Sequence, residues 1–184
     1  MEPSPAIRER LLELARDAAL VAELIEAEPS LYAHVLGGDI ARIRASEGSL
    51  LVLDRASEQL RFVVAVGASA ERLRGLQQPL SSGLTSFAVW SNRPICCNNV
   101  QQDPRHDRRI SEITGAPTYS LLAVPVTVVG ETVGALTAVN KCRAAGSPEL
   151  DAEGFDGDDL QLYSLTARVC GAILTGQLME RTEG

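Results

Sequence analysis

The sequence predicts an α+β fold: a central antiparallel sheet of about six strands, with terminal helices on one face and short roof helices over a ligand pocket on the other. Three observations predict it. Apolar residues recur at helical spacing near both ends of the chain. Two hairpin-like pairs of β-rich runs lie inside those ends. Between the hairpins sits a mixed run of short elements, the kind of irregular insertion that carries binding function.

Taken in order, Ile7, Leu11, Leu14, Ala18, Val21 and Ile25 lie on one seam of a first helix, and Leu12, Ala15, Ala19 and Ala22 form a second row beside it. Two rows suggest two contacts, the first seam with a partner and the second row with the domain itself. Pro29 marks a break, since the residue before proline avoids the helical region, and a second helix is expected from about Ser30 to Ala45. The runs Ser49 to Asp54 and Leu60 to Val66 flank a polar turn and read as two strands. Gly83 to Ser91 reads as a short helix and Pro94 to Val100 as a strand. Asp103 and Pro104 open a helix that stops near Gly115. The clearest hairpin joins Ser120–Val129 to Thr132–Val139 through Gly130 and Glu131. Pro125 removes a ladder hydrogen bond, so its arm belongs at an edge or carries a bulge there. The closing helix shows Leu162, Leu165, Val169 and Ala172 on one row and Tyr163, Thr166, Cys170 and Ile173 on the next. Residues 1–29 are expected to form a dimerisation and signalling helix, and residues 30–184 the sensory domain with its closing helix.

Composition narrows the function. With 45% hydrophobic and 22% charged residues, the 184-residue chain has the make-up of a folded globular domain, not a disordered one. A formal net charge of -7 opposes association with nucleic acid or an anionic membrane surface. No apolar run approaches the roughly 20 residues that span a bilayer, and no secretory leader is visible, so a cytoplasmic location is expected. The four cysteines include the adjacent pair Cys96 and Cys97 and show no Cys-x-x-Cys spacing, which suits free thiols in a reducing compartment.

From about Ser30 to Leu178 the sequence resembles the GAF family of sensory domains, such as those of bacterial signalling proteins and cyclic nucleotide phosphodiesterases. The resemblance is carried by separated segments in the right order. These are Ala45 to Asp54, Pro79-Leu-Ser-Ser-Gly-Leu84, Asn99-Val-Gln-Gln-Asp-Pro-Arg105, Ser120 to Val126 and Gly130-Glu-Thr-Val-Gly-Ala-Leu136. Asn140-Lys141 followed by Phe155-Asp-Gly-Asp-Asp159 is similar to an asparagine-lysine, phenylalanine-x-x-x-aspartate signature of cyclic-nucleotide-binding members. Leu160 stands where that signature continues with glutamate. The resemblance implies a structural tie of Asn140, Lys141, Phe155 and Asp159, in which the lysine leaving the last strand pairs with an aspartate in the first turn of the closing helix. Two unrelated surface charges are the alternative.

Other departures bear on the ligand. Asn99 stands where the family often has aspartate, which weakens a cyclic-nucleotide assignment. Arg105, not cysteine, precedes His106, which removes the thioether of the bilin-binding relatives. Cys96 and Cys97 fall in an expected strand, whereas the free-methionine-sulfoxide-reductase relatives place their cysteines in roof loops. His34 and His106 belong to different helices with no metal-ligand spacing around them, and neither a phosphate-binding glycine loop nor a nucleophile elbow occurs, so neither a metal nor catalysis is expected. Arg93, Arg105, His106, Arg108 and Arg109 form a basic cluster that could meet a phosphate or carboxylate. A solvated face partnered by Asp103 and Asp107 is the alternative.

The candidate ligand-binding residues are Phe62, Phe87, Trp90, Asn99, Arg105, His106, Thr114 and Tyr119, although aromatic residues at such spacing are more often plain core. The expected function is non-catalytic: a domain that binds an unidentified small molecule, with a cyclic nucleotide among the candidates, and signals through a parallel homodimer of terminal helices to a linked or separate effector. A ligand-free dimerisation scaffold is the rival, and a monomer whose first helix folds back onto its own sheet is the rival to the dimer.

Overall fold

The computed structural model describes residues 3–183, without the Glu183 side chain; Met1, Glu2 and Gly184, at the ends of the two expected segments, lie outside the described residues. Its elements run α1 (Pro5–Ala15), α2 (Ala18–Ala27), α3 (Pro29–Arg42), β1 (Ala45–Asp54), β2 (Gln59–Val66), α4 (Ala70–Leu73), β3 (Gln77–Pro79), α5 (Leu84–Ser91), β4 (Ile95–Cys97), a 3-10 turn (Val100–Gln102), α6 (Arg109–Thr114), β5 (Leu121–Val128), β6 (Glu131–Lys141) and α7 (Gly157–Glu183). The six strands form one antiparallel sheet in the order β3-β2-β1-β6-β5-β4.

Strand alternation sorts the apolar residues between two layers. Leu50 and Val52 of β1, Leu136 and Ala138 of β6, and Leu122, Val124, Val126 and Val128 of β5 pack with the helical layer of α1, α2, α3 and α7. Leu51, Leu53, Leu60 and Phe62 face the other way, toward Leu73 and Val89 of the roof. Gly134 is where β6 crosses closest to β1, since a Cβ there would lie 1.9 Å from the Leu51 carbonyl oxygen. β4 pairs only with Leu121–Ala123, so the edge of β5 is uncovered at Pro125, and a bulge follows at Val126/Thr127. That is how a proline is accommodated in an otherwise interior strand.

Three local readings are corrected. The single N-terminal helix is two, because Asp17 leaves the helical register and its carboxylate accepts the N–H groups of Ala19 and Leu20 at 3.1 Å, capping α2. The break also resets the helical phase. Leu11, Val21 and Ile25 of the expected partner-facing seam are buried in the chain's own core, while Ala19 of the expected domain-facing row is exposed. The helix expected from Asp103 starts at Arg109, because Asp103 and Asp107 each accept the backbone N–H two residues on, at 2.9 and 3.0 Å, and hold turns instead. The turn of the β5–β6 hairpin centres on Val129 and Gly130, both with positive φ (51° and 86°), as two-residue hairpin turns require.

Candidate functional site

The roof, residues 67–120, closes over β1, β2 and β6 but does not seal against them, and a cavity of about 100 Å³ remains. Its floor is polar: Glu47 and Ser49 of β1 and Thr137 of β6 point up among apolar neighbours on the same face. Ser69 and Leu73 line it from the α4 end, and Gly83, Leu84 and Thr85 from the start of α5. His106, Ile110, Ser111 and Thr114 close the top. Gly83, at φ 95°, turns the chain into α5 in a conformation that disfavours any side chain, and Asp107 packs beside it. Arg72 ties the two flanks of the roof together, donating to the Thr114 carbonyl at 2.5 Å.

Two groups give the cavity its chemistry. Glu47 Oε1 accepts from Ser69 Oγ at 2.9 Å, and no basic side chain pairs with this carboxylate among the described residues. His106 Nε2 is fully buried and has no hydrogen-bond partner among the described residues. Burial, seconded by the charge of Arg108, lowers the His106 pKa below its usual value near 6.5, so the imidazole is neutral at pH 7. A buried polar atom left unpaired costs roughly 1–3 kcal/mol, so a ring movement that brought Nε2 to a bound group would gain a hydrogen bond.

The structure divides the sequence-derived site residues. Phe62, His106 and Thr114 line the cavity. Phe87, Trp90 and Arg105 line an outer groove on the far side of the roof, with the Arg105 guanidinium 4.8 Å from the centre of the Phe87 ring. Asn99 and Tyr119 line neither, and both are exposed. Tyr119 contributes its backbone N–H, which donates to Asn140 Oδ1 at 2.7 Å. The basic cluster is largely self-paired: Arg105 lies 2.7 Å from the Asp103 carboxylate, and Arg109 forks onto Asp107. These arginines hold both aspartates well below the usual carboxylate range.

Sequence reasoning missed Glu47, Ser49, Ser69 and Thr137. The signal for three of them was available: alternate residues of two otherwise apolar strands, Glu47-Ser49-Leu51 and Ala135-Thr137-Val139, carry a polar side chain on one face.

On the opposite side of β6, Lys141 is 3% exposed and its Nζ pairs with the Asp159 carboxylate, with Asp156 at 3.4 Å. Asn140, at φ 57°, turns its amide the other way, bonding the Pro117 carbonyl at 2.9 Å as well as Tyr119. Phe155 is buried against the helical layer, and its backbone is held by both ends of the Asn98 amide at 2.9 Å. Cys96 and Cys97 contact the Phe155 carbonyl and the Asp103 carboxylate, each at 3.6 Å, and burial raises both thiols. Neither lines the cavity. His34 is exposed on α3, and no group of three or more metal-ligating side chains occurs among the described residues.

Comparison with known proteins fits this architecture. The chain is similar to the type II free methionine-R-sulfoxide reductase of Thermoplasma acidophilum at 20% identity, with 83% of this chain and 96% of that one covered and a TM-score of 0.63. It is similar to the GAF domain of a phosphoenolpyruvate-protein phosphotransferase from Coxiella burnetii at 15% identity, with 96% and 95% covered and a TM-score of 0.64. The second GAF domain of DevS from Mycobacterium smegmatis superposes with a TM-score of 0.60 at 15% identity, over 89% and 99% of the chains. At such identities these structures share the fold alone. A family model of the GAF domain matches residues 35–175, more than half of the sequence. The chain therefore belongs to the GAF domain family, whose members are typically sensory small-molecule-binding domains of signalling proteins.

Proposed function

We propose that this domain senses a small molecule in the cavity between sheet and roof, and passes its occupancy to α7 without catalysing a reaction. The observation that carries this reading is the unfilled cavity whose wall includes His106, a residue with a buried, unpartnered Nε2. The route to α7 is short. Thr137 lines the cavity with its side chain, and its carbonyl accepts the Tyr163 hydroxyl of α7 at 2.8 Å. Asn140 grips the roof loop at Pro117 and Tyr119, and the next residue, Lys141, holds the start of α7 through Asp159. A ligand that shifts the roof therefore pulls on the strand that anchors the helix.

The output is a homodimer of terminal helices that brings two linked or separate effectors together. The surface that supports it is on α7, where Leu165 and Val169 are 55% and 40% exposed and Ala172, Gly176 and Met179 continue the row at alternating spacings of three and four. No described helix is long and apolar enough to cross a membrane, and four free cysteines suit a reducing, cytoplasmic setting. A cyclic nucleotide is the weaker choice of ligand, since pockets for drug-sized molecules run from about 300 Å³ upward and this cavity measures about 100 Å³. The same small volume favours, as a second reading, a scaffold that takes no ligand. A thermal-shift screen separates the two: a true ligand at 100 times its Kd adds about 2.7 kcal/mol of stability, and silence across a broad metabolite panel leaves the scaffold.

A further inference from the structure

We infer, resting on the ligand-binding reading above, that the cavity selects a small molecule presenting an ammonium or similar cationic N–H group to Glu47, and rejects phosphates and carboxylates. Among the described residues, Glu47 and Asp107 are the only acidic side chains lining the cavity, and no lysine or arginine does. Asp107 is already neutralised by Arg109 and accepts from Ser82 Oγ at 2.6 Å. Among the described residues, Glu47 has only the Ser69 hydroxyl as a side-chain hydrogen-bond partner. The roof arginines Arg105, Arg108 and Arg109 line the outer groove instead, across the wall that His106 shares with the cavity.

An anion entering this space would give up its water for a site that offers no cation and a carboxylate of like sign, a combination that proteins avoid. A cation meets the opposite conditions. Glu47 accepts a charge-assisted hydrogen bond, and the Ser49 and Thr137 hydroxyls lie on the same floor to take further N–H donors. His106 forms part of the top wall, and a turn of its ring would bring the unpartnered Nε2 to a neutral polar or unsaturated end of the ligand. The volume limits the ligand's size. At about 100 Å³ the cavity lies well below the roughly 300 Å³ at which pockets for drug-sized molecules begin, so the ligand is a small one.

The test uses three probes of nearly equal shape on the full chain: n-propylammonium, 1-propanol and propionate, titrated at constant ionic strength, with cyclic AMP as a fourth. Binding is read from amide NMR shifts at Glu47, Thr137 and His106. The expected result is that n-propylammonium binds there at least ten-fold more tightly than propionate, and that Glu47→Gln, with folding checked by its amide spectrum, removes the preference. If Glu47→Gln does not fold, the ranking of probes on the native chain decides. Propionate or cyclic AMP binding in the cavity as tightly as the amine, or 1-propanol matching the amine, overturns the charge selection and leaves the sensory reading standing. No shift from any probe overturns both.

Discussion

At the residue scale, the groups that matter are those whose charge or hydrogen bonding the surroundings have decided. His106 is held neutral by burial, so its pKa is lower in the folded chain than the 6.5 of an exposed histidine. The unfolded chain then binds more protons between the two values, and stability falls as pH drops below about 6.5 until the folded pKa is reached. Asp103 and Asp107 act in a separate window: their lowered pKa values stabilise above 3.8, and that contribution is lost as pH falls further. Urea denaturation from pH 8 to pH 5 should show the first slope, and His106→Gln should flatten it; an unchanged slope would assign it to other groups. Lys141 is a different case, a buried cation whose partner Asp159 is 12% exposed at its side chain. Removing one member of such a pair strands the other, so Lys141→Met should cost about 3 kcal/mol. Lys141→Met combined with Asp159→Leu should recover most of that loss, and a single-variant cost below about 1 kcal/mol would mean the pair behaves as a surface one.

At the element scale, close backbone approach is what fixes α7 on the sheet. A Cβ on Gly171 would stand 2.4 Å from the Thr127 carbonyl oxygen of β5, whereas one on Gly176 would meet nothing within 4 Å. Alanine favours a helix over glycine by about 1 kcal/mol at both positions. At Gly171 the collision outweighs that gain, since overpacking costs roughly 1–3 kcal/mol. Gly171→Ala should therefore lower Tm while Gly176→Ala raises it, and equal shifts in calorimetry would show that α7 slides freely on β5. The break between α1 and α2 belongs to this scale as well. Asp17 was visible in the sequence, but the periodic apolar rows run through it without interruption. Only the cap made by its carboxylate reveals two helices.

At the scale of the whole molecule, the corrected helical phase moves the expected partner surface from the first helix to the last. Val21 is 1% exposed within its own chain, so a glutamate there would unfold the domain and say nothing of assembly. Leu165→Glu with Val169→Glu, both on the exposed row of α7, should convert a dimer to a monomer in light scattering while leaving Tm within a few degrees. A dimer mass that survives both changes would remove α7 from the interface. The sequence by itself determined the coarse order of helix, hairpin, mixed roof, hairpin and helix, and with it the family, because each rests on local periodicity, turn residues and the spacing of motifs; the split of α1 from α2 and the short α4 and β3 were not read from it. It also offered Asp103 and Asp107 as local partners of the basic cluster, and the structure pairs them with Arg105 and Arg109, two residues on. The tertiary structure alone decided what faces the cavity. Phe87 and Trp90 are as aromatic as Phe62, yet the packing of α5 turns them outward, and Glu47 reaches the floor because β1 pairs between β2 and β6. Periodicity says which residues share a face; only long-range packing says what that face meets.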